Sequence, residues 1–186
     1  MTHTEQTCGS DAGRGFNIHT FSGRQFFPMA PAEEDVFIGD IAHALSVITR
    51  FGGHCRWFYS VAQHSVLASL NVPDKYAFEA LMHDAAEAYI GDMVRPLKPH
   101  NPDFVAIDAR LDAVIRSRFG LPEQMSETIK YIDVVMCATE KRDLLLPSQA
   151  DWGKLPDPLP VRIEPWPQEY AKFRFLERFQ QLYAGD

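Results

Sequence analysis

The chain has 186 residues, 46% hydrophobic and 23% charged, which fits one globular domain with a sizeable core. A formal net charge of -7 leaves no broad basic face for a nucleic-acid polymer, though a small anionic substrate could be held by a few local cations. The three cysteines, Cys8, Cys55 and Cys137, have no CxxC spacing, which excludes a disulfide framework and a structural zinc site and points to a reducing cytoplasm.

The polar start MTHTEQTCGSDAGRG has no apolar core and does not read as a signal peptide. No stretch approaches the roughly twenty apolar residues of a membrane helix. By composition, residues 1–15 are expected to be a disordered tail, leaving 16–186 as one domain. The two aromatic runs of FNIHTFSGRQFFP flank Ser22-Gly23 and predict a small hairpin. From Asp40, the spacing of Ile41, Ala44, Leu45 and Ile48 predicts a helix ending near Gly52-Gly53.

SVAQHSVLASLN predicts a second helix, capped at Ser60 or a neighbour. A third starts at Pro73-Asp74, runs through YAFEALMHDAAEAYI and closes at Gly91. DMVRPLKPHNPD reads as a Pro-broken loop. Two further helical stretches follow, DFVAIDARLDAVIRSRFG and PEQMSETIKYIDVVMCATEKRDLLL. A proline-rich connector over 147–167 leads to the amphipathic helix QEYAKFRFLERFQQLY, which serves as core or as an interface between copies of the chain. The expected fold class is all-α, with one small N-terminal β-hairpin.

The chemistry sits where polar side chains interrupt apolar helices. His83-Asp84 lies within ALMHDAAEAYI, and Asp133 breaks the run KYIDVVMCA. An ionised aspartate in such a setting is costly unless it is paired or binds a metal. With His64 from another helix, these residues form a set of two imidazoles and two carboxylates. That set suits one divalent transition ion, Mn, Co, Fe, Ni or Zn, with positions left for water and substrate. Glu87 follows His83 by four residues and Asp84 by three, so it shares their face, and Asp92 lies just past the helix end. A carboxylate beside an activated water and another beside a leaving oxygen are what hydrolysis requires.

The pattern H…HD…D, here His64, His83-Asp84 and Asp133, resembles the metal signature of HD-domain phosphohydrolases. The string HDAAEAYIGDMVRPLK is similar to a segment of bacterial 5'-deoxynucleotidases and phage dNTP hydrolases. The resemblance runs from about Asp40 to Leu146 and is strongest over 50–98. It implies an HD-type helical bundle and a metal-dependent phosphohydrolase acting on a nucleotide, most simply a 5'-deoxynucleoside monophosphate. Glu87 and Asp92 match the carboxylates that assist water attack and leaving-group departure.

Arg50-Phe51, fourteen and thirteen residues before His64, match an Arg-aromatic pair contacting phosphate and nucleoside once a one-residue gap is allowed. Arg56-Trp57 compete for the same role. Lys98 matches a family lysine, and Arg95 is a further cation beside it. A dNTP triphosphohydrolase stays open as an alternative. A guanosine-alarmone hydrolase fits less well, because Ala88 stands where that family places an Asp after the Glu. A dinuclear centre needs more histidines than His100, the only one in 85–132. A non-catalytic HD-fold binding protein would be expected to have lost ligands that are all present here.

Overall fold

A computed structural model describes residues 10–11, 13–149 and 151–183 of the chain. It opens with two antiparallel ladders of two-residue strands: β1 (Ser10–Asp11) with β2 (Gly15–Phe16), and β3 (Ile18–His19) with β4 (Gln25–Phe26). The second is the hairpin expected around Ser22-Gly23, and the first is an addition to it. Of the expected disordered stretch, residues 1–9 and 12 lie outside the described residues. Asp40 ties the hairpin tip to the helices, its carboxylate accepting from the Ser22 backbone N–H at 2.7 Å and the Ser22 hydroxyl at 2.8 Å.

The rest is mostly helical: α1 (Ile38–Val47), α2 (Val61–Leu70), α3 (Asp74–Met82), α4 (Glu87–Ile90), α5 (Pro102–Arg118), α6 (Glu127–Leu144) and α7 (Gln168–Leu182). Short 3-10 turns cover Glu33–Asp35, Arg50–Gly53 and Arg95–His100. The last gives internal order to a stretch expected to be loop. The first helix stops earlier than expected, at Val47, because the chain then extends to bridge Thr49 with Ser60 before turning at Arg50.

Helix α2 is the central element. Val61, Ala62, Gln63, His64, Ser65, Val66, Ala68 and Ser69 are all buried, as expected of a helix covered on every side. It packs against α1, α3, α6 and α7. Two of its buried polar groups are paired: Gln63 bonds the backbone of Glu164 and Trp166, and Ser69 donates to the Ala77 carbonyl. Helix α7 supplies Ala171, Phe175 and Phe179 to the core at helical spacing, while Phe173 on its other side stays exposed. No helix among the described residues is long and apolar enough to cross a membrane.

The predicted N-cap of α2 is present, with the Ser60 hydroxyl accepting from the Gln63 N–H at 3.2 Å. Ser60→Ala is expected to lower stability by about 1 kcal/mol, read as a shifted midpoint at unchanged slope in urea unfolding. A larger shift would mean that Ser60 also holds the Thr49 bridge.

The third predicted helix needs correction. It is broken at His83–Ala86, between α3 and α4. Across the break the backbone bonds run three residues back: Ala85 N–H to Met82, Glu87 N–H to Asp84, and Tyr89 N–H to Ala86. This tighter winding is an i→i+3 pattern rather than an α-helix. Gly91, at φ 81° and ψ 163°, ends α4 in a conformation that favours glycine and leads directly into Asp92.

Candidate active site

The break in the third helix places His83 and Asp84 opposite His64 of α2. The His83 Nδ1–H donates to the Ala80 carbonyl at 2.7 Å, within its own helix. His64 Nδ1 lies 2.6 Å from Oε1 of Glu140 on α6. A carbonyl and a carboxylate can only accept, so both imidazoles carry their proton on Nδ1 and direct Nε2 elsewhere.

The two Nε2 atoms are 3.2 Å apart. Asp84 Oδ2 stands 3.3 Å from His83 Nε2 and 3.5 Å from His64 Nε2, and Asp133 Oδ1 is 3.4 Å from His64 Nε2. Donor atoms of His64, His83 and Asp133 all fall within 4.8 Å of one another, a group that could hold a metal ion. Asp84 stands beside both imidazoles but outside that mutually close group of three, and electron-pair donors this close repel unless a cation sits among them.

Charge around the group follows the same logic. Burial and the nearby Arg50 depress the His64 pKa, but Glu140 and Asp133 more than offset them and bring it to about 9. Burial likewise raises Asp133, yet the hydrogen bond and charge of His64, with His83 and Arg50, hold its carboxyl well below the ordinary range. A proton can occupy this centre, and a metal ion would displace it.

Arg50 comes from the turn preceding α2. Its guanidinium bonds Glu140 Oε2 at 3.0 and 3.2 Å and lies 3.5 Å from Asp84 and 3.8 Å from Asp133. The next residue, Phe51, has φ 55°, the one positive φ outside glycine among the described residues. Such a conformation costs about 1–3 kcal/mol and is held in place by surrounding structure.

Glu140 and Tyr59 were not singled out by sequence. Glu140 is fully buried and accepts from His64, Arg50 and the Tyr59 hydroxyl, the last at 2.9 Å. The signal that could have found it is its spacing: Glu140 follows Asp133 by seven residues on α6, hence on the same face.

A cleft of about 700 Å³ opens over this centre, lined by Asp84, Asp133, Glu87, Asp92, Arg50 and Lys98 among others. Arg95, Phe51 and His54 also reach it. Glu87 is 8% exposed, and its Oε2 has no hydrogen-bond partner among the described residues. Burial, then the charges of Asp84 and Asp92, push its pKa well above the ordinary value. Burial raises Asp92 too, against the pull of Arg50. Arg95 approaches Asp133 at 3.3 Å with most of its side chain in solvent, and Lys98 lies 3.7 Å from Asp108. Arg56 and Trp57 are not with the others. They line a separate open groove beside Arg162 and Trp166, and Arg56 lies over the Trp57 ring at 4.2 Å.

No family model matches the chain. The Escherichia coli K12 protein YfdR is 47% identical over 168 residues, covering 89% of this chain and 94% of YfdR. The chain belongs to the YfdR family. A Rhodobacter capsulatus protein, RCAP_rcc00048, is 33% identical to this YfdR-family chain over 174 residues, 82% of the chain and 89% of that protein. Distant relatives are named 5'-deoxynucleotidases. That of Vibrio vulnificus is 25% identical over 124 residues, 64% of this chain and 55% of its own length, and that of Vibrio cholerae is 28% identical over 103 residues, 53% and 45%. The YfdR-family chain thus matches about half of each deoxynucleotidase.

Proposed function

We infer that the protein is an HD-type, divalent-metal-dependent phosphohydrolase that cleaves a nucleotide, most simply a 5'-deoxynucleoside monophosphate. The observation that carries this is the convergence of His64, His83, Asp84 and Asp133, with both imidazoles donating Nδ1–H outward and turning Nε2 toward the carboxylates. A proton bridges two donors, whereas a transition ion accepts all four. The distant relatives named 5'-deoxynucleotidases support the class of substrate.

Bound there, the ion would polarise a phosphoryl oxygen and acidify a water. The protein's own groups account for the rest. His64 is oriented by Glu140, and His83 by the Ala80 carbonyl, so neither ring turns away. Glu87 takes the proton of the attacking water on its carboxylate, which lines the cleft with its Oε2 without a hydrogen-bond partner among the described residues. Asp92 gives a proton to the departing 5'-oxygen as the phosphorus–oxygen ester bond breaks. Arg50 and Lys98 offset phosphate charge.

Arg95 stands further into solvent, where only a longer phosphate chain would need it. Arg95→Ala is therefore expected to leave kcat/KM for a monophosphate within about twofold, as for other exposed charges, and to lower it only for di- or triphosphates. A tenfold loss on the monophosphate would move Arg95 into the phosphate site.

The function is tested by phosphate release from deoxy- and ribonucleoside mono-, di- and triphosphates, with Mn or Co added to metal-stripped protein. Release of inorganic phosphate from 5'-deoxynucleoside monophosphates is expected. Release of intact triphosphate would select the triphosphohydrolase alternative, and no turnover of any nucleotide would overturn the reading.

A further inference from the structure

The cleft is chemically divided. Beside its charged residues it presents Phe51, Trp152, Leu155, Leu145 and Val94. The Phe51 ring lies 5.6 Å from the Arg50 guanidinium carbon, and the Trp152 ring 6.1 Å from Phe51, tilted by 48°. Because the two rings are not stacked on one another, aromatic face remains for a third ring. A nucleotide joins its phosphate to its base through one sugar, and here Phe51 neighbours both Arg50 and Trp152 within the one cleft.

Trp152 belongs to the proline-rich connector between α6 and α7, beyond the stretch that carries the HD pattern. The connector is a built segment. Asp151 Oδ1 accepts from the Gly153 N–H at 2.8 Å, forming a turn with Gly153 at φ 67°, and Lys141 lies 5.0 Å from the centre of the Trp152 ring. Further along, Thr139 Oγ1 accepts from the Leu159 N–H and Asp143 from the Ile163 N–H, each at 2.9 Å. Arg142 binds the carbonyls of Leu159 and Val161 at 2.7 Å. Prolines at 147, 156, 158 and 160 restrict the backbone between these anchors.

We propose that Trp152 is the base-recognition residue of this cleft, forming with Phe51 the aromatic surface on which the nucleobase stacks, so that the connector after α6 is a specificity element. The inference rests on the nucleotide reading above. Stacking accepts any base, since each has a π-face, and it discriminates a nucleotide from a sugar phosphate lacking one.

Two measurements test it. In the first, 2'-deoxyadenosine, which carries no bond for the enzyme to hydrolyse, is titrated into the full-length protein and into Trp152→Phe while tryptophan fluorescence is followed. A saturable change in the wild type, larger than in Trp152→Phe, is expected, and deoxyribose should not produce it. In the second, Trp152→Ala is expected to raise KM for a deoxynucleoside monophosphate about ten- to hundredfold with kcat nearly kept. Trp152→Phe should recover most of that loss, and the penalty should be at least about tenfold smaller for deoxyribose 5-phosphate. Hydrolysis of nucleotides with no Trp152 fluorescence response and an unchanged KM in Trp152→Ala would overturn the stacking role alone. A Trp152 response without nucleotide hydrolysis would uphold it and overturn the phosphohydrolase reading.

Discussion

Glu140→Ala is expected to remove about 3–5 kcal/mol of stability, a large part of the roughly 5–15 kcal/mol that a domain of this kind commonly has. Glu140 accepts from three buried or nearly buried donors: the Arg50 guanidinium, the Tyr59 hydroxyl and His64 Nδ1–H. The Arg50 side chain is only 12% exposed, so truncation removes the closest partner of a buried cation, leaving it Asp84 at 3.5 Å and Asp133 at 3.8 Å, and strands a buried hydroxyl. Burial alone would raise the Glu140 pKa, yet Arg50 and His64 hold it below the ordinary value, so the group is an anion in the folded state. Urea unfolding of the two proteins measures the effect. The isosteric Glu140→Gln keeps an acceptor for Tyr59 and should fall between them, with metal affinity weakened about 10–100-fold through the misoriented His64. An alanine variant within 1 kcal/mol of the parent would show that α6 is not held to α2 through this network.

Glu87→Gln and Asp92→Asn are expected to keep the bound metal and lose about a hundredfold or more in kcat, the contribution typical of a positioned acid or base. Stability should move the other way for Glu87. Its folded-state pKa is raised by burial and by the neighbouring anions, so ionisation opposes folding. That penalty is absent below the ordinary carboxylate range and grows as pH rises above it. Glu87→Gln is neutral at every pH and should therefore be at least as stable as the wild type at neutral pH, while being far less active. Such a trade-off marks a residue kept for chemistry rather than for folding. Near wild-type turnover in either variant would show that its carboxylate takes no part in the chemistry.

The helices were legible where hydrophobic periodicity and end signals agree: the Ser60 cap of α2, Gly120 after α5, and the amphipathic α7. The break at His83–Ala86 was not, because helix propensity and periodicity in ALMHDAAEAYI both favour an unbroken helix, and the tightened turn depends on what His83 and Asp84 face across the fold. The start of α6 was also misjudged. Residues before Glu127 are fixed instead by Glu79, which accepts from the Ser126 N–H and hydroxyl, and by Arg116, which binds the Pro122 carbonyl. In the site, chemistry-bearing residues on apolar helices stood out by composition. Glu140 did not, since in CATEKRDL it reads as one charge in an exposed helix end. Trp152 was hidden for a different reason: a connector has no periodicity, and only the fold shows that it returns to the cleft. Arg56-Trp57 and Arg50-Phe51 were equivalent as sequence, and the bridge from Thr49 to Ser60 is what separates their surroundings.

The most direct measurement is calorimetric titration of Mn(II) into metal-stripped protein, alongside Asp84→Ala. Four donors converging from α2, the α3–α4 turn and α6 predict saturation at about one ion per chain in the wild type, and loss of that binding in Asp84→Ala while the helical signal in circular dichroism is retained. Absence of binding in the wild type, or equal binding in the variant, would contradict the account.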